Sequence, residues 1–344
     1  MKQKCDVLII GQGIAGSCLA YFLLEQGIDV QIIASPIKPN ASKIAGGLMQ
    51  RVSGQYLALP KFIQDHFDEA VLFYQSLNKF FNASIITKHT TCRILDKSQI
   101  KIWQKKRHLQ HYQDLVSQSL KPIVVKDTLH TGIDIYDTYS VNTSLLLYLF
   151  SKYFYSKHIL HDDCITEKAL KPSKNVIQIN NFQANYVIFC IGSNVLEWSI
   201  FNEFPIVNSK GEIISLSLDH HESRILQYDK WLIPIDNNLY KFGSTYAIDP
   251  TLAPTQSGYQ DLHKSLSLFG YNTNQILRIE AGHRSTFSDY KPSMGFLYNN
   301  NRIGIFSGFS SKGFVAAPAL AKLWSSTFPY VADETLSINR FAQL

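Results

Sequence analysis

Apolar residues at the start of the chain follow a strand, turn and helix pattern. Asp6 to Ile10 is a short run rich in β-branched residues, and Ser17 to Gln26 has apolar residues at helical spacing. Gly27 then predicts the end of the helix, and Val30 to Ala34 is a second apolar run. This segment therefore predicts a β-α-β unit whose two strands are parallel and joined by a right-handed crossover.

Later segments continue to alternate between helical and strand-like patterns. Helical spacing predicts helices over residues 59–81, 142–155 and 260–268 and from about residue 313. Short alternating runs predict antiparallel strands between 85 and 139, including Ile100 to Gln104, and between 212 and 246. We also expect a strand pair at 164–167 and 175–179, a buried parallel strand at 185–192 and a strand at 303–306. Two interleaved domains follow, one α/β and one built on an antiparallel sheet.

Composition excludes several classes of protein. The chain has 344 residues, of which 45% are hydrophobic, and no apolar stretch reaches the roughly 20 residues that span a bilayer. Its five cysteines form no CxxC or Cys/His cluster, so we expect reduced thiols, no bound metal and a cytoplasmic location. The N-terminus has features of a secretory signal, but glycines interrupt it and we expect no export. The net charge of +6 is scattered, which is compatible with nucleic acid but does not require it.

A glycine-rich motif joins the first strand to the first helix. Its residues are Gly11, Gln12, Gly13, Ile14, Ala15 and Gly16. Gly11 permits a tight turn, Gly13 lets a pyrophosphate approach the backbone, and Gly16 lets the helix pack close to the strand. The N–H groups and the positive dipole end of the helix then favour phosphates. The predicted fold class is α/β, α+β overall, with a Rossmann-like dinucleotide-binding domain interleaved with an antiparallel-sheet substrate domain.

One element of this pattern is missing at the end of the second strand. An aspartate or glutamate there usually binds the adenosine ribose, but this strand ends in Ala34 and Ser35. Ser35 offers only a weaker hydrogen bond, and no arginine stands there to bind the 2′-phosphate of NADP. We therefore expect the departure to affect the affinity for the dinucleotide more than its identity.

Four later segments, taken with this motif, resemble the FAD-dependent amine and amino-acid oxidoreductases typified by D-amino-acid oxidase, glycine oxidase and sarcosine oxidase. The segments are Asn40 to Leu48, Val187 to Gly192 with Trp198 after it, Gly282-His283-Arg284 through Asp289, Pro292 and Gly295, and Gly308 to Gly313 followed by Ala317-Pro318. The resemblance covers most of the chain. It implies an FAD-binding domain at 1–84, 140–200 and 282–344 and a substrate domain at 85–139 and 201–281.

The resemblance implies FAD as the cofactor. Because no cysteine occupies the position where covalent relatives attach the flavin, non-covalent FAD is expected. Besides the glycine-rich motif, the implied cofactor-binding residues are Ser35, Ser42, Lys43, Ala45, Gly46, Gly47, Leu48, Ile165, Cys190, Ile191, Gly192, Gly308, Phe309, Ser310, Ser311, Lys312, Gly313 and Phe314. The turn at 308–313 offers backbone N–H groups and a positive helix end to the reduced flavin, although such glycines are also typical of a surface hairpin.

Two side chains are candidates for substrate binding. Arg284 matches the arginine that binds the substrate carboxylate in amino-acid-oxidising relatives, a geometry that suits a guanidinium. The alternative is a surface or interdomain ion pair. Tyr246 is expected at the end of a strand, either binding the same carboxylate through its hydroxyl or lying as a half-buried aromatic of the sheet. No acid–base pair is required, because the flavin carries most of the chemistry.

The leading functional hypothesis is oxidation of a C–N bond in a small amino acid or secondary amine by hydride transfer to FAD. A second is FAD-dependent oxidative trimming of a modified tRNA wobble uridine, since the FAD domain of a bifunctional tRNA-modifying enzyme shares the late motifs. We find no counterpart of the methyltransferase half of that enzyme. A third is a non-catalytic flavoprotein that acts as a binding protein. The expected partner is a small-molecule amine or amino acid, with tRNA as the alternative and no membrane.

Overall fold

A computed structural model describes residues 2–37, 40–173, 175–219, 221–236 and 238–341. The strands are β1 Gln3–Ile10, β2 Val30–Ala34, β3 Leu48–Gln50, β4 Ile86–Ile94, β5 Lys121–Val125, β6 Thr128–Val141, β7 Leu160–Asp162, β8 Leu170–Pro172, β9 Ile177–Ile179, β10 Phe182–Phe189, β11 Ile206–Ser217, β12 Ile225–Gln227, β13 Trp231–Asp236, β14 Leu239–Gly243, β15 Ile276–Phe287, β16 Ser293–Leu297 and β17 Asn300–Ser307. The α-helices are α1 Ile14–Glu25, α2 Ala41–Ile44, α3 Lys61–Phe81, α4 Lys97–Lys106, α5 Thr143–Ser156, α6 Gln256–Leu268 and α7 Gly313–Thr327. Within these described segments, no helix is long and apolar enough to cross a membrane.

The chain folds into two compact units, each discontinuous in sequence. Unit 1 consists of Met1–Lys43, Ser144–Ser209 and His283–Leu344, and unit 2 of Ile44–Thr143 and Lys210–Gly282. Residues 44–84, which sequence analysis assigned to the first domain, lie in unit 2. There β3 pairs with β6, and Phe67 of α3 packs against Tyr139 of β6.

Unit 1 is built on a mostly parallel sheet with the strand order β16-β17-β10-β1-β2-β7. β1 is parallel to β10 on one side and to β2 on the other, and its Val7, Leu8 and Ile9 are fully buried. The predicted parallel pair at the N-terminus and the predicted buried strand near residue 187 are thereby confirmed. The chain passes from β1 to β2 on one side and reaches β10, on the other side of β1, by a separate connection. Open α/β sheets bind ligands in the crevice at the carboxyl end of a strand in this position.

Unit 2 is built on a sheet with the order β15-β11-β14-β13-β12-β4-β6-β3, with β5 beside β6. The pairs β11–β14, β13–β14, β4–β6 and β3–β6 are antiparallel, whereas β12 and β4 are parallel. Helix α6 covers this sheet, because its Leu262 and Leu266 share a buried cluster with Phe242 of β14. The predicted antiparallel sheet is confirmed, and β12 and β4 form a parallel pair inside it.

The strand predicted at Ile100 to Gln104 is wrong, because this run lies in α4. The Asp96 carboxylate accepts hydrogen bonds from the N–H groups of Ser98 at 2.7 Å and Gln99 at 2.8 Å. The Asp96 N–H in turn donates to Oε1 of Gln99 at 3.3 Å, which completes a capping box. Trp103, farther along this helix, is buried. The alternation that suggested a strand is therefore the buried and exposed faces of one helical turn and a half.

The strand predicted at 164–167 is also wrong. β9 pairs with β8 at Leu170–Pro172 instead, and Glu167 begins a 3₁₀ turn. Its carboxylate accepts hydrogen bonds from the N–H groups of Ser199 at 3.0 Å and Ile200 at 3.2 Å. Glu167, the last residue of the predicted strand, thus binds the turn at Ser199 and Ile200 rather than a neighbouring strand.

Candidate active site

The turn between β1 and α1 is closed by backbone packing that only glycine permits. Gly11 has φ +104°, and a Cβ there would lie 2.5 Å from the carbonyl oxygen of Cys190. A Cβ at Gly16 would lie 1.9 Å from the carbonyl oxygen of Gly11. Both glycines are therefore required by the fold itself, with or without a ligand.

Gly13 differs from its two neighbours, because the protein's own packing does not require a glycine there. It precedes α1 as the N-cap, and a Cβ at this position would meet Ser42 Oγ at 3.2 Å and Asn40 Oδ1 at 3.8 Å. The first N–H groups of a helix have no acceptor inside the helix. The N–H groups at a helix N-terminus suit a pyrophosphate, so these residues fit a dinucleotide.

A short loop lies over this helix start. Ser42 Oγ accepts a hydrogen bond from the Ile14 N–H at 3.1 Å, and the Ser42 N–H donates to Asn40 Oδ1 at 3.0 Å. Ser42 thus already satisfies the first N–H of α1. A phosphate at this helix end would then be bound through the next two N–H groups, those of Ala15 and Gly16.

The side chain of Gln12, a predicted cofactor residue, is used for packing. It is 8% exposed, its Nε2 donates to Ser17 Oγ at 3.0 Å, and its Oε1 accepts from Ser151 Oγ of α5 at 3.1 Å. Its carbonyl oxygen accepts from Asn40 Nδ2 at 3.3 Å. The predicted role of Gln12 in binding the cofactor therefore rests on its backbone N–H.

The carboxyl ends of β2 and β7 form the edge where the adenosine half is expected. The Asp163 N–H donates to the Ala34 carbonyl oxygen at 3.1 Å, and Ser35 Oγ lies 3.1 Å from Cys164 Sγ. Ile165 follows and is buried in the apolar core of unit 1. Ser35 therefore interacts with a thiol, and no carboxylate of β2 occupies the usual ribose position.

The residues after β10 form the adjoining wall. The Cys190 N–H donates to the carbonyl oxygen of Ile10 at 2.7 Å, and burial raises the pKa of the Cys190 thiol well above its ordinary value. This thiol stays neutral and does not act as a nucleophile. Ile191 is half-buried, and Gly192 follows with φ +55° and begins a 3₁₀ turn.

The segment from Gly308 to Gly313 brings the start of α7 next to the start of α1. Gly308 has φ +82°, and a Cβ at Gly313 would lie 3.3 Å from Cγ2 of Ile14. The parallel strands before both helices end at the same sheet edge, so two positive helix ends lie side by side there. Phe309 and Phe314 are 9% and 8% exposed, so this turn is not a surface hairpin. Its middle residues, Ser310, Ser311 and Lys312, form a 3₁₀ turn.

Arg284 lies on β15, where buried and partly exposed residues alternate. His283 and Phe287 are buried, whereas Arg284 and Thr286 are half-buried and lie on the other face of the strand. Thr286 forms an isolated bridge with Phe309 of the glycine-rich turn before α7. Arg284 is therefore two residues along the strand from the segment expected to meet the flavin.

Tyr246 lies beyond the end of β14, in a loop, and is 76% exposed. It is therefore neither at a strand end nor a half-buried aromatic of the sheet. Lys210 holds this loop, since its N–H donates to the Ala247 carbonyl oxygen at 2.8 Å and its buried Nζ contacts Asp249 Oδ2 at 2.9 Å. Tyr246 belongs to unit 2 and Arg284 to unit 1.

Lys241 is a buried residue that sequence analysis did not identify. Its Nζ donates to the carbonyl oxygens of Ala45 at 2.7 Å and Ile44 at 3.1 Å and to Oγ1 of Thr143 at 3.1 Å. All three acceptors are uncharged, and two belong to the predicted second cofactor segment. The one sign in the sequence was a lysine among the apolar residues of a strand.

The glycines of that segment are packed closely within unit 2. A Cβ at Gly46 would lie 2.4 Å from the ring of Trp231. Gly47 has φ +72°, and a Cβ there would lie 2.1 Å from the carbonyl oxygen of Val141. Residues 44–47 are thus held by hydrogen bonds from Lys241 and by close packing.

The sequence also matches a known family. The model of the family described as DAO, FAD dependent oxidoreductase, matches residues 6–326. The chain belongs to this family. FAD is accordingly the cofactor of this FAD dependent oxidoreductase. The glycine-rich motif of residues 11–16, here called the cradle, fits its pyrophosphate.

The similar proteins share little sequence identity with this chain. The tRNA 5-methylaminomethyl-2-thiouridine biosynthesis bifunctional protein MnmC of Idiomarina loihiensis is 20% identical over 375 residues, and the match covers 98% of this chain but 59% of that protein. Iminodiacetate oxidase from Chelativorans sp. BNC1 superposes with a TM-score of 0.79 at 17% identity, covering 96% of this chain and 98% of its own. Glycine oxidase from Geobacillus kaustophilus gives 0.78 at 14% identity, covering 98% and 99%. These structures confirm the predicted fold class.

Gly13 and Gly16 should respond differently to alanine. Gly13→Ala leaves the melting temperature of the apoprotein close to that of the wild type, but raises the FAD dissociation constant about tenfold or more, which is about 1.4 kcal/mol. Gly16→Ala lowers the apoprotein melting temperature, because its Cβ meets backbone at 1.9 Å. Differential scanning fluorimetry and flavin fluorescence titration measure the two effects. Unchanged FAD affinity in Gly13→Ala would contradict the assignment of the cradle.

Lys241 should make the stability of the protein depend on alkaline pH. Burial lowers the pKa of Lys241 from 10.5 to about 8, while Glu280 opposes the shift and Arg278 adds to it. Between these two pH values the unfolded chain binds more protons than the folded one, so the free energy of unfolding rises with pH. Over this range, the free energy of unfolding of the wild type should rise relative to that of Lys241→Met by at most about 3 kcal/mol.

Urea unfolding of the wild type and Lys241→Met at several pH values between 8 and 10.5 measures this difference. Lys101→Met, at an exposed position of α4, is the matched control and should leave the pH dependence of the wild type unchanged. A constant difference between wild type and Lys241→Met over this range would show that the buried amine does not titrate there.

Proposed function

We propose that this chain oxidises a C–N bond of a small amino acid or secondary amine, with non-covalent FAD as the hydride acceptor. The observation that supports this most is the position of Arg284, two residues from the bridge between Thr286 and Phe309. A cation at that point of unit 1 suits a substrate that carries a carboxylate next to the carbon to be oxidised. Iminodiacetate and glycine, which occur in the names of two similar structures, both carry an amine and a carboxylate.

The reaction removes two electrons from the substrate. The carbon bonded to nitrogen gives up its hydrogen as hydride, the nitrogen gives up a proton, and the C–N single bond becomes an imine that water hydrolyses to a carbonyl compound and an amine. Bound FAD supplies the hydride acceptor. In this proposal Arg284 orients the carboxylate through two parallel N–H donors.

A second candidate is oxidative trimming of a modified uridine in tRNA. It is favoured by the match of nearly the whole chain to part of a bifunctional protein of tRNA 5-methylaminomethyl-2-thiouridine biosynthesis. Such a substrate also presents an alkylamine C–N bond. Binding to tRNA would weaken steeply with salt, whereas binding of a small amino acid would change far less.

The experiment that separates these candidates is product analysis. The FAD-loaded protein is incubated in air, and separately with an artificial electron acceptor, with glycine, N-methylglycine, iminodiacetate or unfractionated tRNA, and the carbonyl product is detected by mass spectrometry. A carbonyl product from a small amine supports the leading proposal, and an altered tRNA nucleoside supports the second. No product from any substrate while FAD stays bound favours a non-catalytic flavoprotein.

Arg284→Ala should weaken the binding of carboxylate substrates and leave FAD binding intact. A hydrogen-bonded charge pair contributes about 1.5 to 3 kcal/mol, so KM for the substrate is expected to rise at least about tenfold. Arg278→Ala is the matched control, since Arg278 lies on the same strand with its side chain 60% exposed. The amide analogue of the substrate should be bound poorly by the wild type and equally poorly by Arg284→Ala. A carboxylate preference that survives in Arg284→Ala would contradict the role of Arg284.

A further inference from the structure

The adenosine ribose of FAD lacks its usual acidic partner in this chain. In Rossmann-like domains that partner stands at the end of the second strand, where this protein has Ala34 and Ser35. Ser35 is close to the Cys164 thiol, at 3.1 Å, and a serine hydroxyl is a weaker acceptor than a carboxylate. The fold nevertheless retains the glycine-rich turn and the start of α1, so an acid from another strand at this edge could take the place of the missing one.

The neighbouring strand β7 carries such an acid. β7 is parallel to β2 with Ile33 opposite His161 and Ala34 opposite Asp162. Opposed residues of neighbouring strands project from the same face, and the strands lie about 4.8 Å apart. Asp162 therefore stands one strand away from the missing acid, at the same level along the sheet and on the same face.

Hydrogen bonds fix the ends of these two strands to each other. The N–H of Asp163 donates to the Ala34 carbonyl oxygen at 3.1 Å. Asp162 Oδ1 accepts a hydrogen bond from the Tyr155 hydroxyl of α5 at 2.6 Å. This bond to the carboxylate raises the pKa of Tyr155 to about 12, so the hydroxyl keeps its proton and continues to donate. Asp162 is thus held in position by Tyr155, and it is exposed at the sheet edge.

Asp163, the next acid along the chain, is arranged differently. Its Oδ2 accepts a hydrogen bond from Asn180 Nδ2 at 2.7 Å, and side chains of successive extended residues point to opposite faces. Among the described residues, no hydrogen bond is formed by Oδ2 of Asp162. Each acid thus has one oxygen in a hydrogen bond, and Asp162 is the one that pairs with Ala34 and shares its face.

We propose that Asp162 binds the ribose hydroxyls of the adenosine half of FAD in place of an acid at position 34. The acid then lies on β7, the parallel strand next to β2, and Tyr155 of α5 orients it through a hydrogen bond. This assignment concerns the binding of FAD, which the family establishes, and is independent of the substrate proposed above.

The test is FAD binding by apoprotein, followed by quenching of flavin fluorescence. Asp162→Asn should raise the FAD dissociation constant about tenfold, and the matched control Asp163→Asn should leave it unchanged. Adding Ala34→Glu to Asp162→Asn should restore binding, because it returns the acid to its usual strand. Equal dissociation constants for Asp162→Asn and the wild type would overturn the proposal.

A second readout separates ribose binding from structural damage. ADP and 2′,3′-dideoxy-ADP are each used to displace FAD, and the ratio of their affinities is compared between proteins. The wild type and Tyr155→Phe should prefer ADP, whereas Asp162→Asn should bind both alike. If Asp162→Asn keeps the preference for ADP, its carboxylate does not touch the ribose and serves only to hold Tyr155. Because no turnover is measured, this result is independent of any failure of the proposed oxidation.

Discussion

The approach of α1 to the carboxyl ends of β1 and β10 is the constraint on which the rest of unit 1 depends. A Cβ at Gly11 or Gly16 would lie 2.5 Å or 1.9 Å from a backbone carbonyl oxygen, so the helix can start at this point only if both positions are glycine. This approach leaves the N-terminus of α1 at the crevice of the parallel sheet. The start of α7 then packs beside it through Gly313 and Ile14. Two positive helix ends at one sheet edge create a site for a bound anion such as the pyrophosphate of FAD.

The chemistry of the family makes modest demands on the protein, because the cofactor carries the reactive centre. The chain must hold FAD and align a substrate, and polar side chains fix two segments that the sequence predicted to bind the cofactor. Lys241 holds the carbonyl groups of residues 44 and 45 in unit 2, while Ser42 holds the start of α1 in unit 1. Arg284 is the charged group on β15 nearest in sequence to the bridge with the turn before α7.

Structural elements were predicted correctly where the residues that determine them lie in one short segment of the chain. The β1-α1-β2 unit, the long helix α3 and the start of α7 follow from glycines and apolar spacing in one stretch of chain. The prediction failed at Ile100 to Gln104, because the capping box formed by Asp96 and Gln99 starts a helix whose buried and exposed residues mimic the alternation of a strand. β15 was not predicted at all, since Arg278, Glu280 and Arg284 obscure its alternation. Lys241 and Asp162 depend on pairing between distant segments, which no local pattern contains.

The most direct test of the account is anaerobic absorbance spectroscopy of the FAD-loaded protein. The account predicts the yellow colour of oxidised flavin, bleached on addition of a small amine that carries a carboxylate and unchanged by the same carboxylate without the amine. A yellow protein that no amino acid or N-substituted glycine bleaches would contradict the proposed oxidation. A colourless protein that cannot be loaded with FAD would contradict the assignment of the cradle itself.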